Sequence, residues 1–499
     1  MSEMFSRRGF LAASAASATL LAVPACANAP AQSLRPALRP AGGRAATVPA
    51  VDALVSKAQL GGRVAFAVAD AQSGELLEVR DPQRGLPPAS VVKALTAVYA
   101  LDSLGAQHRF ETRLIATGPV QNGVLSGDLV LAGGGDPLLD TDGLAEMAAG
   151  LKSAGVRELR GRFLVWGGAL PYAKVIDPSQ PDHVGYNPAV SGLSLNHNRV
   201  HFEWVRNGQG YGVTMDARSD RYRPEVRVAR MQVVARDLPV YTYADAQGVD
   251  QWTVARSALG SRGARWLPVR RPDIYAGEVF RTFASAQGIR LPAEEAVRSL
   301  PGGTVILRRQ SAPLPDILRD MLRYSTNLTA EMVGLAATQA RGGAPGSLAD
   351  SARAMNGWAS SALGLSDPAL VDHSGLGDRS RLAAADMVAA LIRARRQGML
   401  PDLLREFPMK DANGRTARGH PIKVNAKTGT LNFVSGLAGY MARESGKPLA
   451  FAIFAADAER RDSIPRAERE RPQGAQGWNR RAKDLQQDLI ERWGSLYSV

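Results

Sequence analysis

Residues 87–101 read Pro87-Pro88-Ala89-Ser90-Val91-Val92-Lys93-Ala94-Leu95-Thr96-Ala97-Val98-Tyr99-Ala100-Leu101, and the reading of the fold turns on this stretch. The prolines stop any helix upstream, which sets Ser90 at a helix N-terminus, where the dipole and free N–H groups favour developing negative charge. Beyond it the residues are apolar on nearly every side, as in a helix enclosed at a domain centre. Ser90 and Lys93 stand three apart, on one helical face and within hydrogen-bonding reach. A serine needs a base to become a nucleophile, and lysine serves only when neutral. Apolar enclosure disfavours the ammonium, and a second cation nearby adds to that. One S-x-x-K arises by chance in about half of chains of this composition, as a capping serine and a lysine reaching for water. A lysine inside an apolar helix argues against that reading, because an unpaired buried charge is costly.

On the N-terminal side, residues 51–60 have helical spacing. Arg63 to Ala69 then read as a buried strand, turned by Gln72-Ser73-Gly74 into a second strand over 76–80. On the C-terminal side the texture changes over 106–271 to short strand candidates with frequent Gly and Pro. Residues 124–131, running into Gly133-Gly134-Gly135-Asp136-Pro137, are an example, and the whole stretch reads as a β-rich insertion. Helical spacing returns at Leu314, Ile317, Leu318, Met321 and Leu322, resumes after Asn327 and recurs over 382–393. Strands are expected over 426–430, 434–441 and 449–455, before an amphipathic helix carrying Trp478, Ala482, Leu485, Leu489 and Trp493. Both chain ends therefore meet in one α/β/α layered domain, residues 51–105 and 272–499, with 106–271 spliced into it.

The 499 residues are 45% hydrophobic, enough for a sizeable core and for two or more domains. The formal net charge of +14 favours anionic surroundings. Its arginines are dispersed, with no basic block interleaved with stacking aromatics, and nucleic-acid binding is not expected. Ser6-Arg7-Arg8-Gly9-Phe10-Leu11 ahead of a short Ala/Leu-rich stretch reads as a twin-arginine export signal over 1–29, followed by a flexible linker over 30–50. No stretch is long enough to span a membrane. A chain exported folded must fold without disulfides, which agrees with a single cysteine, Cys26. Val23-Pro24-Ala25-Cys26 resembles a lipoprotein box, while Ala25-Cys26-Ala27 and Ala27-Asn28-Ala29 fit ordinary signal peptidase. Lipid anchoring or peripheral association therefore stays open beside a free periplasmic protein.

Two further motifs carry chemistry. Tyr324-Ser325-Thr326-Asn327 lies between helical segments, so a hydroxyl and an amide can project into a cleft as proton relay and substrate clamp. A second S-x-N, Ser194-Leu195-Asn196, sits in the turn-rich insertion and is read as structural. Lys427-Thr428-Gly429-Thr430 lies on a strand, where Gly429 permits close backbone approach and Lys427 and Thr428 offer a cation and a hydroxyl to a carboxylate.

In the order S-x-x-K, S-x-N, K-T-G, the three form the signature set of penicillin-binding proteins and serine β-lactamases. Spacing narrows the resemblance: 235 positions separate Ser90 from Ser325 and 102 separate Ser325 from Lys427. The long first gap resembles the D-alanyl-D-alanine carboxypeptidase/endopeptidase family of class C penicillin-binding proteins, in which domains are inserted between the first two motifs. Residues 131–138 (LAGGGDPL), 186–198 (YNPAVSGLSLNHN) and 372–376 (DHSGL) also look like that family. The resemblance implies a penicillin-binding transpeptidase-like α/β/α fold acting on peptidoglycan stem peptides, inhibited by β-lactams, with no cofactor or metal. It implies Ser90 as nucleophile, Lys93 as base, Ser325 as relay to the leaving amine and Asn327 as holder of the substrate amide. Lys427 would support the relay and Thr428 bind the terminal carboxylate, while the N–H groups of Ser90 and Thr430, beside Gly429, would form the oxyanion hole. Thr326 departs from the Asp of many relatives.

A class A β-lactamase would need a Glu after S-x-N to activate the deacylating water, and none lies between Glu331 and Glu406. A non-enzymatic wall-binding relative would not need all the motif side chains, which are intact. His197 and His201 have helical metal spacing, but Val200 to Trp204 reads as strand. No G-x-S-x-G elbow is present. For the export signal, folded precursor of the Arg7→Lys, Arg8→Lys double variant should accumulate in the cytoplasm. Unchanged delivery on cell fractionation would exclude the twin-arginine route.

Overall fold

The computed structural model describes residues 48–411, 413–444 and 446–497. The export signal, Cys26 and all of the linker but residues 48–50 lie outside them. Val48–Val499 hold together as one compact unit, and among the described residues no helix is long and apolar enough to cross a membrane.

Its centre is a five-stranded antiparallel sheet in the order Ile422–Leu431, Val434–Arg443, Leu449–Ala456, Arg63–Asp70, Leu76–Arg80. The two chain ends thus meet in one sheet. Arg63–Asp70 shows why both faces are covered. Its even positions, Val64, Phe66 and Val68, join a core with Trp478, Leu485, Leu489 and Trp493 of the terminal helix Ala475–Leu496. Its odd positions, Ala65, Ala67 and Ala69, face the opposite way, toward the helices Val92–Leu104 and Ala384–Arg396. Ala438, Ala450 and Ala452 continue that face of small residues on the neighbouring strands, and small side chains let helices sit close to the sheet.

The middle of the chain builds a second five-stranded sheet in the order Glu294–Ala296, Phe163–Trp166, Leu129–Gly133, Glu111–Ala116, Thr304–Gln310. The helices Thr141–Ser153 and Pro272–Ala286 contribute to its core, as do strands from three smaller three-stranded sheets. Pairing moves the boundary drawn at residue 271. Pro272–Ala286 packs into the inserted core, Glu294–Ala296 pairs with Phe163–Trp166, and Thr304–Gln310 pairs with Glu111–Ala116. The chain rejoins the catalytic layers only at the helix Leu314–Tyr324. Strand partners almost two hundred positions away leave no local trace in the sequence. The single strand expected over 124–131 is likewise two, Val124–Ser126 and Leu129–Gly133, in different sheets on either side of Gly127, whose φ is +155°.

The terminal helix is anchored by Trp493, fully buried, 5.6 Å from Phe66 and 6.0 Å from Phe451 between ring centroids. Its indole N–H donates to Glu78 at 2.7 Å. Trp493→Ala empties that site and leaves Glu78 held by Arg492 alone, so unfolding in urea should show a loss of about 3–5 kcal/mol, mostly from the cavity.

Candidate active site

Pro87-Pro88 ends in Ala89 at φ +46°, followed by the single turn Ala89–Val91 and the helix Val92–Leu104. A non-glycine residue in that conformation is strained by about 1 kcal/mol or more and needs its surroundings to hold it. Two glycines allow those surroundings to close in. A Cβ on Gly375 would lie 1.9 Å from the Ala89 carbonyl oxygen, and one on Gly429 would lie 2.7 Å from that of Pro88 and 3.0 Å from the Ser90 nitrogen. The DHSGL loop and the K-T-G strand therefore press directly on the serine turn.

Lys93 is completely buried. Its Nζ lies 2.9 Å from Ser90 Oγ and donates to Asn327 Oδ1 and to the Ser374 carbonyl, both at 2.7 Å. A neutral amine has two hydrogens and one lone pair; the two carbonyl oxygens take the hydrogens, which leaves the lone pair for the Ser90 hydroxyl. Burial pushes Lys93 down to about 7, against the pull of two carboxylates, Asp372 and Glu331. Lys427 is pushed well below the usual lysine range by burial first and then by the charges of Lys93 and Arg405. The mutual repulsion expected to help Lys93 thus acts chiefly on Lys427.

Ser325 ends the helix Leu314–Tyr324 in the left-handed region, φ +58°, and Asn327 opens the next helix, Asn327–Ala340. This abrupt reversal turns both side chains the same way. Lys427 Nζ donates to Ser325 Oγ at 3.1 Å and to the Thr428 carbonyl at 2.7 Å. Ser90, Lys93, Asn327, Ser325 and Lys427 are thereby brought together, with Thr428, Gly429 and Thr430 continuing along the strand Ile422–Leu431. That strand is at the edge of its sheet. Its outer side bonds the 405–407 segment as far as Ala426, whose N–H donates to the Arg405 carbonyl, and among the described residues no strand pairs with it beyond. A cleft of about 290 Å³ runs there, lined by Ser90, Tyr186, Ser325, Asn327, Thr430 and Asn432 among others.

Sequence reasoning left three participants without a role. Glu331, fully buried, accepts from the N–H groups of His373 and Ser374 at 3.1 and 2.9 Å. Asp372 accepts from those of Gly375 and Gly377 at 2.7 and 2.6 Å. Together they fold the loop that presents the Ser374 carbonyl to Lys93, and burial raises both carboxyls above their ordinary range. An acid on the otherwise apolar face of Asn327–Ala340 was the available signal. The second S-x-N is elsewhere: Ser194 bonds Asn198 and Asn196 bonds Thr141, all within the inserted region. His197 lies in a short turn and His201 in the strand Arg199–Asn207, so no helix brings them together.

An α/β/α layered domain with a serine, two desolvated lysines and an amide around one cleft defines a serine hydrolase of the penicillin-binding type. Residues 47–473 match the D-Ala-D-Ala carboxypeptidase 3 (S13) family, and the chain belongs to it. It is 28% identical over 443 residues to the D-alanyl-D-alanine carboxypeptidase of Actinomadura sp. (strain R39), covering 81% of this chain and 79% of that one. It is 24% identical to the D-alanyl-D-alanine carboxypeptidase DacB of Haemophilus influenzae, over 81% of this chain and 87% of that one. The crystal structure of penicillin binding protein 4 from H. influenzae superposes with a TM-score of 0.73 at 20% identity, over 90% of this chain and 99% of that one, and so shares the fold. That protein has also been crystallised with a β-lactam.

The burial of Lys93 has a direct spectroscopic consequence. In protein carrying labelled lysine, one side-chain signal should titrate near pH 7 and vanish in Lys93→Met. Titration of every lysine near 10 would contradict a desolvated amine.

Proposed function

We propose that this protein is a D-alanyl-D-alanine carboxypeptidase, with or without cross-link endopeptidase activity, that hydrolyses peptidoglycan stem peptides through an acyl-enzyme on Ser90. The observation that carries this reading is the position of Lys93 Nζ, buried 2.9 Å from Ser90 Oγ and bonded to Asn327 Oδ1 and to the Ser374 carbonyl oxygen. As Ser90 Oγ attacks the penultimate D-alanine carbonyl, its proton passes to Lys93 Nζ. The N–H groups of Ser90 and Thr430 receive the developing oxyanion, each such donor contributing about 3 kcal/mol in the transition state. The acyl–nitrogen bond then breaks as Ser325, bonded to Lys427, delivers a proton to the leaving amine, and the proton that Lys93 took from Ser90 replaces it, which returns Lys93 to its neutral form. Thr428 and Lys427 hold the carboxylate beside that amine, and Asn327 holds the amide of the acyl part. Water then attacks the ester carbonyl with Lys93 taking its proton, and the acyl–oxygen bond breaks as Lys93 returns that proton to Ser90 Oγ.

The bare edge beyond Ala426 supports this assignment, since an extended peptide can pair there with its carboxylate at Thr428 and the rest of the chain running past Thr430 toward Asn432. A β-lactam resembles the same bond, and its opened ring stays attached, so we assign β-lactams as inhibitors. We place the enzyme's work outside the cytoplasm, where its substrate is, delivered by the twin-arginine signal, with lipidation at Cys26 as an additional anchor to be tested by mass.

Penicillin should add its mass to the peptide containing Ser90, and equal labelling of folded Ser90→Ala would overturn the assignment. Incubation with muropeptide monomers and dimers, read by mass, should release D-alanine, and monomers from dimers if endopeptidase activity is present.

The base has its own test. Lys93 is neutral above its value of about 7 and protonated below it, so acylation by a chromogenic β-lactam should rise with pH through about 7 and level off. Lys93→Arg cannot lose its proton and should acylate about 10²–10⁴-fold more slowly, with a cooperative melt showing that the variant is folded. A near-parental rate with the parental pH profile would remove Lys93 from the role.

A further inference from the structure

A cavity of about 820 Å³ opens on the inserted region and shares no residue with the catalytic cleft. Tyr172 stands in its wall with 58% of its surface exposed, and its hydroxyl donates to the Arg270 carbonyl at 2.8 Å. The polar end of the side chain is thus turned into the protein, and what stays open is apolar ring surface fixed in direction. Lys174 and Arg298 are exposed in the same walls. The Lys174 ammonium is held over the Tyr243 ring at 5.3 Å, and neither cation makes an ion pair or a side-chain hydrogen bond among the described residues. The two carboxylates of the cavity are engaged already, Asp245 with Arg271 at 3.2 Å and Asp273 with the Ile274 amide at 2.9 Å.

A bare, oriented aromatic ring packs against the C–H face of a sugar, and unpaired cations beside it suit acidic substituents. The volume lies inside the roughly 300–1,000 Å³ of ligand sites and has room for a short oligosaccharide. The place of the cavity in the chain says why a sugar polymer would be held there. Ala173 and Val190 exchange backbone hydrogen bonds of 3.1 and 2.8 Å, which closes residues 174–189 into a loop. The neck of that loop lines this cavity, while Gln180 and Tyr186 farther along it line the catalytic cleft. Arg270, buried below the neck, staples the loop by donating to the carbonyls of Lys174, Asp182 and Asn187 at 3.1, 2.7 and 2.8 Å. A ligand at the neck is therefore held in a fixed relation to the cleft, which at about 290 Å³ is too small to grip a polymer by itself. We propose that Tyr172, Lys174 and Arg298 form a saccharide-binding site for acidic glycan, the sugar ring on Tyr172 and its carboxylate toward the two cations. That this glycan is the strand bearing the stem peptides rests on the function proposed above; the site itself does not.

The test uses the full mature chain, with penicillin labelling at Ser90 in every variant to read folding and the catalytic assignment separately from the site. Two tetrasaccharides of equal length are titrated by calorimetry. One comes from peptidoglycan strands stripped of their stem peptides, so that its lactyl carboxylates are free; the other is neutral chitotetraose. The parent should bind the acidic sugar about tenfold more tightly, the effect of one charged hydrogen bond, and added salt should erase the difference. Tyr172→Ala should weaken both sugars about tenfold, while Tyr172→Phe, which keeps the ring, should stay within about threefold of the parent. Lys174→Met with Arg298→Met should weaken the acidic sugar alone. In a second arm, D-alanine release by Tyr172→Ala should fall about tenfold on intact sacculi and stay within about twofold on a sugar-free stem pentapeptide. Release that falls equally on both substrates would overturn the assignment to the substrate strand. If the parent labels with penicillin but binds neither tetrasaccharide, or binds poly-glutamate in their place, the proposal is wrong and the catalytic reading stands. If the tetrasaccharides bind as expected but no label appears on Ser90, the site stands and the catalytic reading falls.

Discussion

Lys93 is completely buried, and much of the surrounding structure is arranged around its amine. Burial alone disfavours the ammonium, but a bare amine would have no fixed direction. The Asn327 and Ser374 carbonyl oxygens give it one by accepting both hydrogens. Each acceptor is positioned by something distant in sequence. Asn327 depends on the left-handed turn at Ser325, and Ser374 on two buried carboxylates that gather the amides of its loop. Those carboxylates oppose the desolvation of Lys93, which leaves its value near 7, close to where a general base is most effective.

The sheet supplies the rigidity that such an arrangement needs. Alternation along Arg63–Asp70 gives one face of large side chains to the terminal helix and one face of alanines to the serine helix and its neighbours. Small residues on that second face bring the helix close enough for Gly429 to meet the Ser90 turn. The strained Ala89 is then enclosed between the K-T-G strand and the DHSGL loop, and local strain of this kind persists only where the surroundings over-determine it.

The inserted region takes part in the cleft as well as interrupting the catalytic domain. Its 172–190 segment brings Tyr186 and Gln180 to the cleft, and Tyr186 accepts from the same Asn327 that holds Lys93. Arg265 of the insertion and Glu470 near the chain end pair at 2.7 Å, and His183 bonds the same carboxylate at 2.7 Å. These polar contacts join an apolar cluster in which Leu170, Ile176 and Val190 of the insertion pack with Leu328, Met332 and Leu376.

Much of this was legible in the residues alone. Period-two and helical patterns placed the sheet strands and the terminal helix, since alternation is a local consequence of which face is buried. The three motifs named Ser90, Lys93, Ser325, Asn327 and Lys427 because their chemistry is carried by side-chain type and short spacing. What only the tertiary structure decided is everything that depends on contacts across hundreds of positions. The late boundary of the insertion comes from strands pairing with partners near its start. Glu331, Asp372 and the Ser374 carbonyl acquire their roles only when a helix, a loop and the serine helix converge. Periodicity reports which way a side chain points; which groups it meets is set by the packing of the whole chain.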